Sequence, residues 1–297
     1  MKVDRPGEAT WHSLSQSRVI VVGGAGAFGT GIARALREQG AHVLGLDRTR
    51  GPDILEVDIT SDEAVRDAVE RALSELGGLD ILINAAGIGL VQDAGAPPDQ
   101  SVTSTLAVNL LGPWRVAGYA LPALIEARGR IINIASGLAF ANVPFASAYA
   151  ASKRALSAWS DALRIEYGSH VGVTTIYPGY VKTPIHVHAE AAGLSLAGLV
   201  PEEPLSALVQ TVVRACTGKP RRDLTTTRRS GFGIRIARHF PALADRAILR
   251  QFRRLSAQKR YENAPLALGM LKRRGFREEE NGETYDAQTH STPSTAD

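Results

Sequence analysis

At 297 residues, with 44% hydrophobic and 22% charged side chains and a net charge of +4, the chain has the make-up of a globular protein with ample material for a core. It has no run of about 18 apolar residues to cross a bilayer, and its start, MKVDRPGEAT, lacks the apolar core of a signal peptide. The single cysteine, Cys216, can form neither an internal disulfide nor a CxxC pair; it reads as a small apolar side chain on a helix, and the expected compartment is the cytoplasm.

Strand-like β-branched runs begin at residues 18 (RVIVV), 42 (HVLGL), 53 (DILEV), 79 (LDILIN), 130 (RIINIA), 171 (VGVTTIY) and 222 (RDLTTT). Helical stretches separate them. FGTGIARALREQG stops at Gly40, and SDEAVRDAVERALSELGG opens on an N-cap Ser61 followed by acids. Segments 100–127, 146–168 and 202–216 also have helical character. This alternation predicts an α/β fold with a doubly wound parallel sheet of about seven strands, ligands binding beyond the strands' C-terminal ends. After residue 227 the alternation stops. From Lys219 to Arg277 there are 17 Lys/Arg against Asp223, Asp245 and Glu262, an excess of 14 positive charges. The expected division is a dinucleotide-binding and catalytic domain over 1–227, a basic amphipathic helical extension over 228–277, and a disordered polar tail over 278–297.

VVGGAGAFGTG follows the first strand directly and enters the first helix. Gly24, Gly26 and Gly29 have GxGxxG spacing, and Gly23, Gly26 and Gly29 recur every third residue. Such a loop lets backbone N–H groups approach a pyrophosphate at a helix N-terminus, the phosphate site of a Rossmann sheet, with Phe28 beside it. Asp47 lies 18 residues past Gly29, at the end of the second strand. A carboxylate there accepts hydrogen bonds from both adenosine ribose hydroxyls and repels a 2′-phosphate, so NAD(H) is favoured. Arg48 and Arg50 in DRTR can neutralise a phosphate and keep NADP(H) open. Asp58 and Ile59, in VDIT after the third strand, are expected at the adenine.

The chain contains only six lysines, and before residue 218 only Lys2, Lys153 and Lys182. One of them closes YAASK, residues 149–153. On a helix, Tyr149 and Lys153 stand one above the other and present a phenol and an ammonium to one spot. A free phenol, with a pKa of about 10, is a poor base at neutral pH; a neighbouring ammonium stabilises phenolate and moves it toward a useful range. Ser136 ends the fifth strand 13 residues before Tyr149. NAAG, 84–87, ends the fourth strand, Asn109 lies in the helix LAVNLLGPW, and YPGYVKTP, 177–184, follows the sixth strand.

Over about residues 15–227 this set resembles the short-chain dehydrogenase/reductase family, although Val22 and Gly23 stand where the family usually begins its TGxxxGxG loop. The resemblance implies that Tyr149 is the general acid/base and that Lys153 lowers its pKa and bonds the nicotinamide ribose. Ser136 would hold the substrate oxygen and Asn109 would support a water-linked proton path to Lys153. Thr183, after the Pro178–Gly179 turn, would contact the nicotinamide carboxamide, while Asn84, Ala85, Gly87 and Val181 would line the cofactor. The implied protein is an NAD(H)-dependent oxidoreductase, a homodimer or homotetramer, that interconverts a hydrophobic secondary alcohol and its ketone. The alternative is an NAD(H)-binding sensor or scaffold without turnover, which would have no need of the acid/base pair.

The substrate side is less specific. Residues 184–200, PIHVHAEAAGLSLAGLV, fall where that family has its substrate lid, and their apolar character favours a hydrophobic alcohol or ketone. His186 and His188 have no evident third ligand, so no metal is expected. Phe140, Val143, Phe145 and Tyr180 are candidate pocket neighbours by their place in the chain. The basic stretch from 228 can cover the substrate mouth or a subunit contact, or lie on an anionic membrane as a peripheral element. The cap is favoured because Pro241 interrupts the apolar face. Nucleic acid is not expected, since no binding motif or aromatic platform accompanies the charge.

Overall fold

The computed structural model describes residues 13–275; the readings made for the chain start and for 278–297 lie outside these residues. Seven strands, β1 (Arg18–Val22), β2 (His42–Asp47), β3 (Ile54–Glu56), β4 (Ile81–Asn84), β5 (Arg130–Ile134), β6 (Gly172–Tyr177) and β7 (Asp223–Thr225), form one sheet. Their order is β3-β2-β1-β4-β5-β6-β7, and every pairing is parallel. The chain runs outward from β1 through β2 and β3, then crosses back to start the other half at β4. The connections after β1 and β4 therefore leave in opposite directions and open a crevice at the strands' C-terminal ends.

The helices are α1 (Ala27–Arg37), α2 (Asp62–Leu76), α3 (Gln100–Leu106), α4 (Gly112–Glu126), α5 (Ser147–Tyr167), α6 (Val187–Ala191), α7 (Leu205–Thr217), α8 (Arg228–His239), α9 (Pro241–Ala257) and α10 (Pro265–Arg273). Ser61 caps α2 by accepting from the Ala64 N–H, Asp62 and Glu63 occupy its first turn, and Gly77 ends it at φ 70. Between α3 and α4 the chain makes a π-helical turn, Ala107–Leu111, where the sequence suggested uninterrupted helix. Among the described residues no helix is long and apolar enough to cross a membrane.

Because side chains alternate along a strand, the central strands feed two cores. Ile20, Val22 and Leu82 pack with Val116, Leu124 and Leu156 under α2, α4 and α5. Val19, Val21 and Ile83 pack with Ile32, Leu36 and Val212 under α1 and α7, where Cys216 is also buried. A third cluster joins Phe145 and Leu194 to Phe252, Leu255, Tyr261 and Leu271 of the C-terminal extension, with the Phe252 and Tyr261 rings stacked at 4.5 Å. The extension thus folds back on the segment that follows β6.

Two glycines are required by the turn from β1 into α1. Gly23 sits at φ 82, and a Cβ there would lie 2.7 Å from the Ala86 backbone; at Gly29 a Cβ would lie 2.0 Å from the Gly23 carbonyl oxygen. Gly29→Ala must push apart two backbone segments and should cost roughly 1–3 kcal/mol, a fall of several degrees in Tm. Gly118, inside α4 with nothing within 4 Å of an added Cβ, gives the opposite expectation. Gly118→Ala should gain up to about 1 kcal/mol from helix propensity, and thermal melts of the two variants check both signs.

Candidate active site

A cleft of about 910 Å³ opens at the C-terminal end of the sheet. One half is built from Gly23, Gly26, Phe28 and Gly29 after β1, with Asp47 at the end of β2, Arg48 after it, and Asp58 and Ile59 after β3. Gly24 faces away, its Cα packed against Gly45 of β2, so the spacing that matters at the cleft is the three-residue one. Asp47 accepts from the Ala25 N–H at 3.1 Å and the Thr49 N–H at 3.0 Å, which holds its carboxylate beside the glycine loop. Arg50 is turned outward into an ion pair with Glu56, leaving Arg48 as the arginine of that pair on the cleft wall. Asp58 binds the N–H and hydroxyl of Thr60, and these bonds hold its carboxyl below the usual carboxylate range.

The other half comes from the end of β5 and the first turns of α5. Ser136, Tyr149 and Lys153 all line the cleft. Burial pushes the Tyr149 phenol up, while a hydrogen bond with Ser136 draws it down. Lys153 is only 3% exposed, and its Nζ donates to the Ile134 carbonyl at 3.0 Å and lies 5.8 Å from the centre of the Tyr149 ring. Removed from water with one backbone partner, the ammonium is pulled from the ordinary 10.5 to about 8.

Asn109 stands behind the cleft wall. It is fully buried and does not line the cleft. Its Oδ1 accepts from the Ile88 N–H at 2.8 Å, and its Nδ2 donates to the Ile88 carbonyl at 2.9 Å and to Ser152 Oγ at 3.0 Å. The π turn thus clamps the strand-end segment after β4 to α5. Within that segment Ala85 and Gly87 line the cleft, and a Cβ on Gly87 would come within 3.4 Å of both Asn109 Oδ1 and Lys153 Nζ. Asn84 points away from the cleft; it is buried and donates to Asn133 Oδ1 at 2.7 Å, because its place in β4 turns it toward the α5 side of the sheet.

Pro178, Gly179, Val181 and Thr183 line the cleft after β6. Sequence reasoning missed the group that fixes them. Glu203, buried, accepts from the Gly179 N–H at 2.9 Å, from Thr227 Oγ1 at 2.6 Å, and from the hydroxyls of Thr226 and Ser230. Burial pushes its carboxyl up, but these four bonds outweigh that and hold it below the usual range. A carboxylate between prolines in PEEPL gave no hint of this, since its partners come from both sides of it in the chain.

Of the suggested pocket neighbours, Phe145 and Tyr180 line the cleft. Phe140 instead packs on Tyr177 with ring centres 5.1 Å apart, and Val143 is core. His186 packs its ring on Tyr180 and faces the Val181 carbonyl; no group of three metal-ligating side chains occurs among the described residues. The roof is supplied by Ile234, Ile236 and Ala237 of α8 and Ala244, Ile248 and Phe252 of α9.

The family model for short chain dehydrogenase matches residues 17–192. A 3-ketodihydrosphingosine reductase from Bacteroides thetaiotaomicron is 34% identical over 172 residues, which are 56% of this chain and 64% of that protein. Dehydrogenase/reductase SDR family member 7B from Xenopus laevis is 31% identical, over 71% of this chain and 74% of that one. Among solved structures, a short chain dehydrogenase from Burkholderia cenocepacia in complex with NADP has a TM-score of 0.67 at 27% identity, covering 80% of this chain and 99% of that one. A 3-ketoacyl-(acyl-carrier-protein) reductase from Brucella melitensis complexed with NADH has a TM-score of 0.64 at 25% identity, covering 72% and 97%. The chain belongs to the short-chain dehydrogenase family, a family of oxidoreductases.

The buried ammonium carries a stability consequence. At pH 7 wild type bears the full desolvation cost of charged Lys153, so Lys153→Met should raise Tm. Between about pH 8 and 10.5 the folded protein releases that proton while the unfolded chain keeps it, so wild-type stability rises across the window. The advantage of the Met variant should therefore shrink from pH 8 to 10.5, as melts across that range would record.

Proposed function

We propose that the protein is an NAD(H)-dependent oxidoreductase that interconverts a hydrophobic secondary alcohol and its ketone. The observation that carries this reading is the Tyr149 phenol facing the cleft with the buried Lys153 ammonium beside it. Tyr149 transfers the proton to or from the substrate oxygen, Ser136 donates a hydrogen bond to that oxygen, and Lys153 stabilises the phenolate and binds the nicotinamide ribose. Asn109 positions the segment at Gly87 against Lys153, the arrangement from which a proton relay would run. Bound nicotinamide supplies or accepts the hydride.

The residues present fit such a cofactor. Gly23, Gly26 and Gly29 bring bare backbone to the cleft wall where a pyrophosphate would lie, with Asp47, held beside that loop, for the ribose and Asp58 and Ile59 for the adenine. Thr183 and Val181 are suited to the carboxamide end. The cleft that Tyr149 faces is lined by apolar residues of α8 and α9 and by Leu90, Leu194 and Leu199, which favours a substrate whose flank is hydrocarbon. The likeness to a reductase named for a 3-keto compound is in keeping with that.

NAD(H) is the proposed cofactor because Asp47 repels a 2′-phosphate, and Arg50, which could have offset it, is spent on Glu56. Self-association is proposed through α4 and α5, on which Trp114 and Ile165 are exposed, Leu111 being exposed at the end of the π turn.

Tyr149→Phe should lower turnover by about 10²–10⁴-fold or more while NADH binding, followed by its fluorescence, stays within a factor of a few; retained turnover removes Tyr149 from the mechanism. A screen of apolar ketones and alcohols at the nicotinamide absorbance band supplies the assay. In Asp47→Ala the ratio of NADPH to NADH dissociation constants should fall, with Arg48 left to attract the phosphate. A wild-type preference for NADPH contradicts the assignment.

A further inference from the structure

Seven large apolar side chains are exposed among the described residues, and three of them lie on the two helices that line the roof of the cleft: Phe232 on α8, and Phe240 and Leu243 at the α8–α9 corner. Phe232 is 67% exposed yet also lines the cleft, so it stands at the mouth. Gly233 and Ala247 likewise are exposed and line the cleft, one on each helix. The apolar interior therefore reaches the outside at Phe232, Gly233 and Ala247, beside Arg229 and Ser230 on the same wall, and Phe240, 63% exposed, lies further along the two helices at their corner.

Positive charge accompanies these exposed side chains. From Arg228 to Ala257 there are eight arginines and one acid, Asp245. Arg238 is engaged with Asp223 at 3.8 Å and with the Phe140 ring. Arg228, Arg229, Arg235, Arg246, Arg250 and Arg254 are exposed. Such a face is a poor surface for a second copy of this chain, because a two-fold contact would set the same arginines against one another. A layer of anionic headgroups over hydrocarbon matches both features, charge to charge and apolar side chains to acyl chains.

We propose that the α8–α9 face docks the protein on the surface of an anionic lipid bilayer, with Phe240 and Leu243 entering the headgroup boundary and the mouth at Phe232 turned toward the lipid. The docking needs no catalytic step. If the proposed apolar substrate is correct, it also gives that substrate a path from the membrane into the cleft without crossing water.

The test is co-sedimentation of the full chain with phosphatidylcholine–phosphatidylserine vesicles and with phosphatidylcholine vesicles alone. Wild type should bind the mixed vesicles, bind the neutral ones at least about tenfold less, and be released at about 1 M salt, where screening shortens to about 3 Å. Phe240→Ser with Leu243→Ser, and separately Arg246→Glu with Arg250→Glu, should each weaken binding about tenfold or more, with Tm and NADH fluorescence unchanged. No wild-type binding to mixed vesicles, or equal binding by the charge-reversed variant, overturns the proposal. So does a double variant that keeps its vesicle affinity but loses a subunit contact in sedimentation velocity, since that assigns the face to another copy of the chain. Because no turnover is measured, failure here is separable from failure of the oxidoreductase assignment.

Discussion

The rest of the site depends on a single ammonium kept out of water. Lys153 has one backbone acceptor, the Ile134 carbonyl, where bulk water would offer several, and its pKa falls to about 8 as a result. That environment is costly for stability, and the surroundings are arranged to maintain it. The fifth strand supplies the carbonyl and, two residues on, Ser136; α5 supplies Tyr149 one turn above the lysine; and the Asn109 clamp holds the segment at Gly87 over it. An arginine would keep its charge there but could not release a proton.

The second feature is a tie between the segment after β6 and the roof. Glu203 binds the Gly179 N–H with one carboxylate oxygen and the hydroxyls at the start of α8 with both. The segment after β6 and the helix that covers the cleft therefore share one anchor, and the basic extension, for all its charge, is structurally part of the pocket. Phe252 and Leu255 of α9 are buried in the cluster with Phe145 and Tyr261, while Phe232, Phe240 and Leu243 and the arginines around them stay exposed. A chain of modest net charge thus carries a strongly polarised surface.

Much of this was legible in the sequence because the local rules and the final structure agree. β-Branched runs became seven parallel strands, Ser61 capped the helix it precedes, and the YAASK spacing put phenol and ammonium on one helix face. Legibility failed where the outcome depends on which way a residue turns. Asn84 ends a strand that borders the cleft, yet its position in the two-residue alternation points it at Asn133. Gly24 completes a familiar spacing but packs on Gly45. The π turn at Asn109 adds a residue to one helical turn, a choice made by the bonds to Ile88 and Ser152 and invisible to periodicity. Glu203 gathers partners 23 to 27 residues away, beyond the range of any local motif. The extension's basic, periodically apolar pattern suited a cap and a membrane surface alike, and the structure uses one set of its faces for the roof and exposes the other.

The central claim is that Lys153 tunes Tyr149 for proton transfer, with a positive nicotinamide completing the effect. The most direct measurement is the ultraviolet difference titration of the Tyr149 phenol, taken as wild type minus Tyr149→Phe, with and without saturating NAD⁺. The account predicts a phenol pKa above about 10 in the free protein, a marked fall on NAD⁺ binding, and a much smaller fall in Lys153→Met. A Tyr149 pKa that NAD⁺ leaves unchanged, or that falls equally without the lysine, would contradict it.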